Sequence, residues 1–257
     1  IADVVGDSFA LSQKAADTDA EVLVFAGVSF MGESAKILRP DKTVLLPDAG
    51  ADCPMAHMAT EENIRKLRDQ YPDLAVVCYI NSTARLKALS DVCVTSSNAV
   101  KIVRALPNRN IYFIPDRNLG QYVAGQVPEL LLAAKEAHPE AQVLMHPECP
   151  PETLRLADYV GSTAGILTHA RLSSHEEFLV ATEEGVLWQL CRENPGKHFY
   201  TPTEDFCCPG MKLVTLEKVR NVLKYNTNPV EIEEPLRLAA LRPLERMLRL
   251  AAQGRES

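Results

Sequence analysis

The 257 residues are 46% apolar and 24% charged, which is enough apolar material for a buried core and excludes wholesale disorder. Lys+Arg total 27 against 34 Asp+Glu, a net charge of −7 with no basic run, which argues against nucleic acid and anionic membrane as partners. No apolar stretch approaches the roughly 18 residues of a membrane span.

Residues 1–18 lack the basic start and apolar block of a signal peptide, so a cytoplasmic protein is expected. Ile1, Val4, Val5, Phe9 and Leu11 are instead spaced for an amphipathic helix. The chain opens inside that pattern without an initiator Met, and a missing N-terminal piece is expected. Strands are then predicted at 22–28, 43–46, 75–80, 92–95, 111–114, 142–145, 159–161, 178–181 and 198–200. Helices are predicted near 31–38, 59–70, 83–89, 97–105, 117–124, 129–137, 150–157, 184–193 and 215–224, with a last amphipathic helix over 231–257.

The strands are β-branched and almost continuously apolar, as parallel strands covered on both faces are. Strict β–α alternation predicts an α/β fold of three-layer αβα units with parallel sheets. A weak repeat supports three copies. Val76-Val-Cys-Tyr-Ile-Asn81 precedes Val92-Cys-Val-Thr-Ser-Ser97 by 16 residues, and Val143-Leu-Met-His-Pro-Glu148 precedes Tyr159-Val-Gly-Ser-Thr163 by 16. Val22-Leu-Val-Phe-Ala-Gly27 and Thr43-Val-Leu-Leu-Pro-Asp48 form the third pair. Three small domains are expected: 1–72, 73–139, and 140–257 with the C-terminal helix.

Seven cysteines, at 53, 78, 93, 149, 191, 207 and 208, are an odd count without a signal peptide, which argues against a disulfide framework, and no C-x-x-C occurs, which argues against a zinc ribbon. Cys78, Cys93 and Cys191 lie in apolar patterns and read as buried small hydrophobes.

Ligands of α/β sheets bind at the carboxyl ends of the strands. Tyr79, Asn81, Ser82 and Thr83 end one strand, Ser96, Ser97 and Asn98 another, and Ser162 and Thr163 a third. Such hydroxyls serve as N-caps of the following helices, or as seats for carboxylate or phosphate beside free helix-start N–H groups. His146-Pro147-Glu148 places an imidazole and a carboxyl two residues apart, where either can move a proton if partly dry. The other histidines, 57, 138, 169, 175 and 198, read as surface or capping residues. Cys53 and Cys208 each sit in a Gly/Pro-bearing loop after a strand. They are candidate ligands for a soft metal or an iron–sulfur cluster, or plain thiols at helix starts. Cys207 should point away from its neighbour, and Cys149 has no partner at motif spacing.

In order along the chain stand Phe25-Ala-Gly-Val28 with Met31 and Glu33-Ser34-Ala35, Asp52-Cys53-Pro-Met-Ala56, Tyr79-Ile-Asn-Ser-Thr-Ala84, Val94-Thr-Ser-Ser-Asn-Ala99, His146-Pro-Glu148, Gly161-Ser-Thr163 and Cys208-Pro-Gly-Met-Lys212. Together they resemble the quinolinate synthase family, from Ile1 to about Leu248. The resemblance implies three α/β domains around a pseudo-threefold axis, each giving one cysteine to a central [4Fe–4S] cluster whose fourth iron acts as a Lewis acid. It implies condensation of iminoaspartate with dihydroxyacetone phosphate to quinolinate, with loss of phosphate and water, in NAD biosynthesis. By matching motif, Cys53 and Cys208 are cluster ligands. Glu148, His146 and Tyr79 form the catalytic group, with Glu148 the general base. Ser8, Tyr79, Asn81, Ser96, His146, Glu148, Ser162 and Thr163 hold substrate. A monomer or homodimer is expected, with no nucleic-acid or membrane partner.

There are departures. The family's second-domain cysteine lies in a Gly-His-Cys-like loop due between helices at 118–127 and 128–137. Here Val127 runs directly into Pro128. Arg85 stands where the family usually carries an acid. The family's His–Tyr segment would precede Ile1. Either residues of a longer protein are missing from the sequence or the chain carries a deletion. The first is expected, and with it a cluster-free form with disordered cluster and N-terminal loops. Rival readings are a metal-independent aldolase or dehydratase using His146 and Glu148, and a small-acid binding protein.

Overall fold

A computed structural model describes residues 2–116, 118–119, 140–149, 151–202 and 207–252. Among them are nine strands, all pairing in parallel within three sheets. The α/β fold expected from the alternation is therefore borne out. The chain divides into two compact units, Ile1–Asp116 with Pro209–Ser257, and Arg117–Cys208.

The first unit holds two sheets. In one, β1 (Val22–Val24) pairs with β2 (Thr43–Leu45). In the other, β3 (Leu74–Tyr79) lies between β4 (Val92–Val94) and β5 (Asn110–Ile114). Every residue of β3 and β4 is buried, which is why neither run alternates apolar with polar. The edge of β2 is extended by the returning chain: Leu46 N–H donates to Asn228 and Val230 N–H to the Val44 carbonyl, at 3.1 and 2.8 Å. This satisfies backbone groups that a two-stranded sheet would leave open.

Local signals fix the helix starts of this unit. Asp7 caps α1 (Ser8–Asp17), Thr60 caps α3 (Glu61–Gln70), Thr83 caps α4 (Ala84–Ala88) and Thr215 caps α10 (Leu216–Tyr225), each accepting an N–H of the first turn. The remaining helices of the unit are α2 (Ser29–Leu38), α5 (Ala99–Arg104), α9 (Pro209–Lys212) and α11 (Glu234–Ala252). The last packs on α4, β4, α2 and α5 and buries Ala240, Leu244 and Met247. Arg237, 8% exposed, donates to the Ile37 carbonyl and pairs with Glu234.

The second unit has one sheet in the order β7 (Tyr159–Val160), β6 (Gln142–Met145), β8 (Glu177–Ala181), β9 (His198–Tyr200). Its helices are α6 (Pro151–Leu154), α7 (Thr163–Leu172) and α8 (Val186–Glu193). Two apolar layers flank the sheet, one built on Val143, Met145 and Leu179, the other on Leu144, Phe178 and Val180.

Four sequence expectations need correction. The strand predicted over 22–28 ends at Val24, because Gly27 N–H turns back to the Phe25 carbonyl at 3.0 Å and hands the chain to α2. The first helix starts at Ser8, after the Asp7 cap. The helix at Thr163–Leu172 was not expected. It accommodates a glycine because a Cβ at Gly165 would stand 2.6 Å from the Tyr159 hydroxyl, so the glycine makes room for the ring. Cys191 is exposed, since α8 turns Leu190 inward and its neighbour outward. The helices expected at 117–124 and 129–137, and the Val127–Pro128 junction, fall outside the described residues apart from Asn118 and Leu119, which are helical.

Candidate active site

In the first unit the register Tyr79↔Val94 sets Asn81 and Ser96 at matching places just beyond the ends of β3 and β4. Tyr79 is 4% exposed, while Asn81 and Ser96 are half-buried. Ser8, at the start of α1, donates to Asn81 Oδ1 at 3.2 Å across 73 residues of sequence. Ser8 and Asn81, both expected to face substrate, are thus brought together. Beside Ser96, Thr95 N–H donates to Asn98 Oδ1 at 2.7 Å and the Thr95 and Ser97 hydroxyls meet at 2.9 Å.

Cys53 opens the short 3-10 turn Pro54–His57 and packs on Val28, Phe30 and Ala56. The preceding carboxylate organises this loop. Asp52 Oδ1 accepts from the Ser29 hydroxyl at 2.7 Å and from Cys53 N–H at 2.8 Å, and Oδ2 meets His57 Nε2 at 2.7 Å. Burial pushes the Asp52 carboxyl up, but these donors outweigh it and hold it below its usual value. His57 is exposed, as a surface or capping residue was expected to be, and forms the third arm of this network.

The loop is also locked from the C-terminal side. A Cβ at Gly210 would overlap the Asp52 carbonyl oxygen, so the Gly210 backbone lies flush on the Asp52 backbone in this loop. Gly210 is two residues after Cys208 and Asp52 one before Cys53. Gly210→Ala must push backbone against backbone. We expect it to cost about 1–3 kcal/mol, several degrees of Tm, and to raise the reactivity of Cys53 toward a thiol reagent. An unchanged melting curve would show that the contact yields freely.

Lys218 reaches the same loop, pairing with Asp48 Oδ2 and donating to the Leu213 carbonyl at 2.9 Å. The Lys218 hydrogen bond, with the Gly50 amide, holds the Asp48 carboxyl below its ordinary value. A depressed folded pKa adds stability above the unfolded value of about 3.9, and that stability fades as pH falls through the folded pKa. Asp48→Asn should therefore lower Tm at neutral pH, with the gap to wild type closing below about pH 4. A gap independent of pH would assign the effect to packing rather than charge.

In the second unit, the segment after β6 forms a turn closed by Cys149 N–H to the His146 carbonyl at 2.9 Å. His146 N–H donates to the Ala181 carbonyl at 3.2 Å, pinning the turn to β8. His146 Nδ1 lies 3.6 Å from Glu148 Oε2 and accepts the Glu148 N–H at 3.3 Å. With Nδ1 accepting, the neutral ring carries its proton on Nε2, an inference from the bonding network. The His146 side chain is 10% exposed and that of Glu148 29%, partly dry but open to a ligand. Asn118 Nδ2 holds the Glu148 carbonyl at 3.0 Å. Register then brings in β7, where Gly161 N–H meets the Met145 carbonyl at 3.0 Å, and Ser162 and Thr163 follow at the head of α7. Ser162 accepts the Gly165 N–H as an N-cap, so the cap reading holds for it, and its own O–H remains a donor. His146, Glu148, Ser162 and Thr163 therefore share the carboxyl edge of one sheet.

Cys208 ends this unit, half-buried, its N–H 3.4 Å from Glu183 Oε1, while Cys207 is exposed. Cys149 donates to the Ala181 carbonyl at 3.2 Å. His169 stacks on Tyr159 with ring centroids 4.2 Å apart and meets Gln142 at 2.9 Å, a packed rather than surface histidine. Burial, with His175 nearby, lowers its pKa. Arg85 is exposed and 3.8 Å from Glu61.

Sequence reading missed Lys87. It is wholly buried near Cys78 and Cys93, which are partners in the β3–β4 register. A lysine three residues after a buried helix start, just before an all-apolar strand, was the signal available. Burial lowers its pKa against the pull of the two thiols and Glu33.

A family model described as quinolinate synthetase A protein matches residues 1–133 and 128–249. The chain belongs to this family. The quinolinate synthase of Caldicellulosiruptor saccharolyticus is 50% identical over 270 residues, covering 98% of this chain and 89% of its own length. That of Clostridioides difficile is 47% identical over 270 residues, covering 98% and 89%, and that of Rippkaea orientalis 48% over 275 residues, covering 98% and 85%. These alignments are longer than the chain's 257 residues, so the relatives carry positions with no residue here. The two stretches of the family match overlap over residues 128–133.

The family's cluster can be tested against this donor set. Iron–sulfur clusters are held by three or four thiolates. Cys53 and Cys208, the two cysteines expected from the sequence to be ligands, are both half-buried. Among the described residues no group of three or more His, Cys, Asp or Glu is arranged to hold a metal. Among the described residues, then, the donors do not form a complete cluster site. No described helix is long and apolar enough to cross a membrane.

Proposed function

We propose that the chain joins iminoaspartate to dihydroxyacetone phosphate, releasing phosphate and water to give quinolinate. Family membership assigns it to quinolinate synthesis in NAD biosynthesis. The observation that carries the finer reading is the His146–Glu148 pair at one sheet edge with Ser162 and Thr163. Ring closure to an aromatic pyridine requires protons to leave carbon and water to leave a carbinol. Glu148 is suited to take those protons, being partly dry, beside an imidazole and held by a bonded backbone. His146 Nε2–H, Ser162 and Thr163 offer donors to carboxylate or phosphate oxygens. Tyr79, Asn81, Ser8 and Ser96 offer a second set of polar groups in the other unit. Cys53 and Cys208 are proposed as two thiolates of the family's [4Fe–4S] cluster, and no step here is drawn through it.

The short donor set favours a second reading for the 257 residues as they stand, a protein that binds the small acids without turning them over. The test is quinolinate formation, followed by chromatography, from iminoaspartate and dihydroxyacetone phosphate. It is run without oxygen after iron and sulfide reconstitution. Product formed by the chain supports the enzyme. Tight binding of dihydroxyacetone phosphate without product supports the binding reading.

A further inference from the structure

Lys87 has no part in the chemistry above, yet it is a fully buried cation. An apolar chain of the same length would fill its place without losing the hydration of a charge, so the charge must be held by something it bonds. That partner is the Ser82 carbonyl, which accepts from Lys87 Nζ. The Phe30 ring lies 6.0 Å away.

Ser82 belongs to the turn that carries Asn81. The turn is tied at each step: Ile80 N–H to the Val94 carbonyl at 2.8 Å, Ser82 N–H to the Ile80 carbonyl at 2.8 Å, and Ala84 N–H to Glu33 Oε2 at 2.7 Å. The Ser82 hydroxyl meets Cys78 Sγ at 2.9 Å, and Thr83 caps the helix on which Lys87 itself sits. A backbone carbonyl pointing inward would be unsatisfied without a donor, and Lys87 supplies it from one turn further along. The cation and the Glu33 carboxylate thus hold the turn from two sides, one on a C=O and one on an N–H. Asn81 stands on that frame, with Ser8 on its Oδ1.

We propose that Lys87 is a positioning residue, whose buried ammonium fixes the 80–83 turn through the Ser82 carbonyl and so places Asn81 and Ser8 for substrate. This rests on the reading of Asn81 as a substrate contact.

The test uses the full chain and needs no turnover. Hydrogen–deuterium exchange is followed across 79–86 in Lys87→Met and in Leu86→Ala. Leu86, on the same helix and 4% exposed, is a destabilising control. The amides of 82–84 should exchange at least about tenfold faster in Lys87→Met and stay near wild type in the control. Binding of dihydroxyacetone phosphate is then measured for Lys87→Met, Asn81→Ala and the double variant. If Lys87 acts through Asn81, each single change weakens binding and the double is weaker than the worse single by no more than about twofold. Multiplying effects, or an unchanged exchange rate at 82–84, overturn the proposal. Full-strength binding in Asn81→Ala overturns the reading of Asn81, while the exchange data still decide the clamp. Should Lys87→Met not fold, Lys87→Gln takes its place. If neither folds, Lys87 serves core stability and the proposal falls.

Discussion

Inserting a family loop bearing Gly-His-Cys between Val127 and Pro128 should raise bound iron and acid-labile sulfide from well under one cluster to about four of each per chain. The 257 residues supply thiolates at Cys53 and Cys208, and two ligands leave too many iron sites open to hold a cluster against loss. The family match falls into two stretches that overlap over residues 128–133, and relatives aligned over 270 residues carry positions this chain lacks. The measurement is iron and sulfide analysis with the visible spectrum, after reconstitution without oxygen. Cys53→Ala or Cys208→Ala in the loop-bearing chain should return it to the low value, whereas Cys149→Ala should not. A full cluster in the chain without the insert would mean that another residue completes the set.

In that loop-bearing protein, Glu148→Gln should lower kcat by about 10²- to 10⁴-fold with KM little changed. Gln is the same size. The backbone bonds that hold the turn, Asn118 to the 148 carbonyl and the 148 N–H to His146 Nδ1, do not involve the side chain. Only the proton acceptor is removed. Steady-state kinetics decide: a raised KM with kcat retained would make Glu148 a binding group. The expectation for dihydroxyacetone phosphate binding by the variant is near-wild-type affinity, since binding and proton transfer are then separate tasks.

The nine strands were legible because parallel strands buried on both faces must be written as unbroken apolar runs, and β3 and β6 are the clearest cases. The strand-end positions of Asn81, Ser96, His146 and Ser162 followed from the same alternation. What the sequence did not disclose is pairing at long range. Nothing local links Ser8 to Asn81, 73 residues on, or Lys218 to Asp48, 170 residues back. Helix α7 was not among the expected helices, and Gly165 lowers its intrinsic propensity. The decisive term was tertiary, a tyrosine ring occupying the space of its missing side chain. Lys87 was missed because composition treats a lysine as surface by default.

The first unit is assembled from both ends of the chain, residues up to 116 and those from 209 onward. On the ribosome its opening half emerges first, with α4 and β4 still lacking the helix at Glu234–Ala252 that covers them, and with Val44 and Leu46 lacking the partners at 228–230. Residues 117–208 form a contiguous stretch and leave the ribosome before that cover does. Synthesis therefore closes the first unit last. A chain stalled or cut before residue 228 leaves buried strands uncovered, the species that chaperones and proteases act on. The Cys53 loop, sealed by Gly210 and Lys218, reaches its final form only after the interrupting unit has left the ribosome.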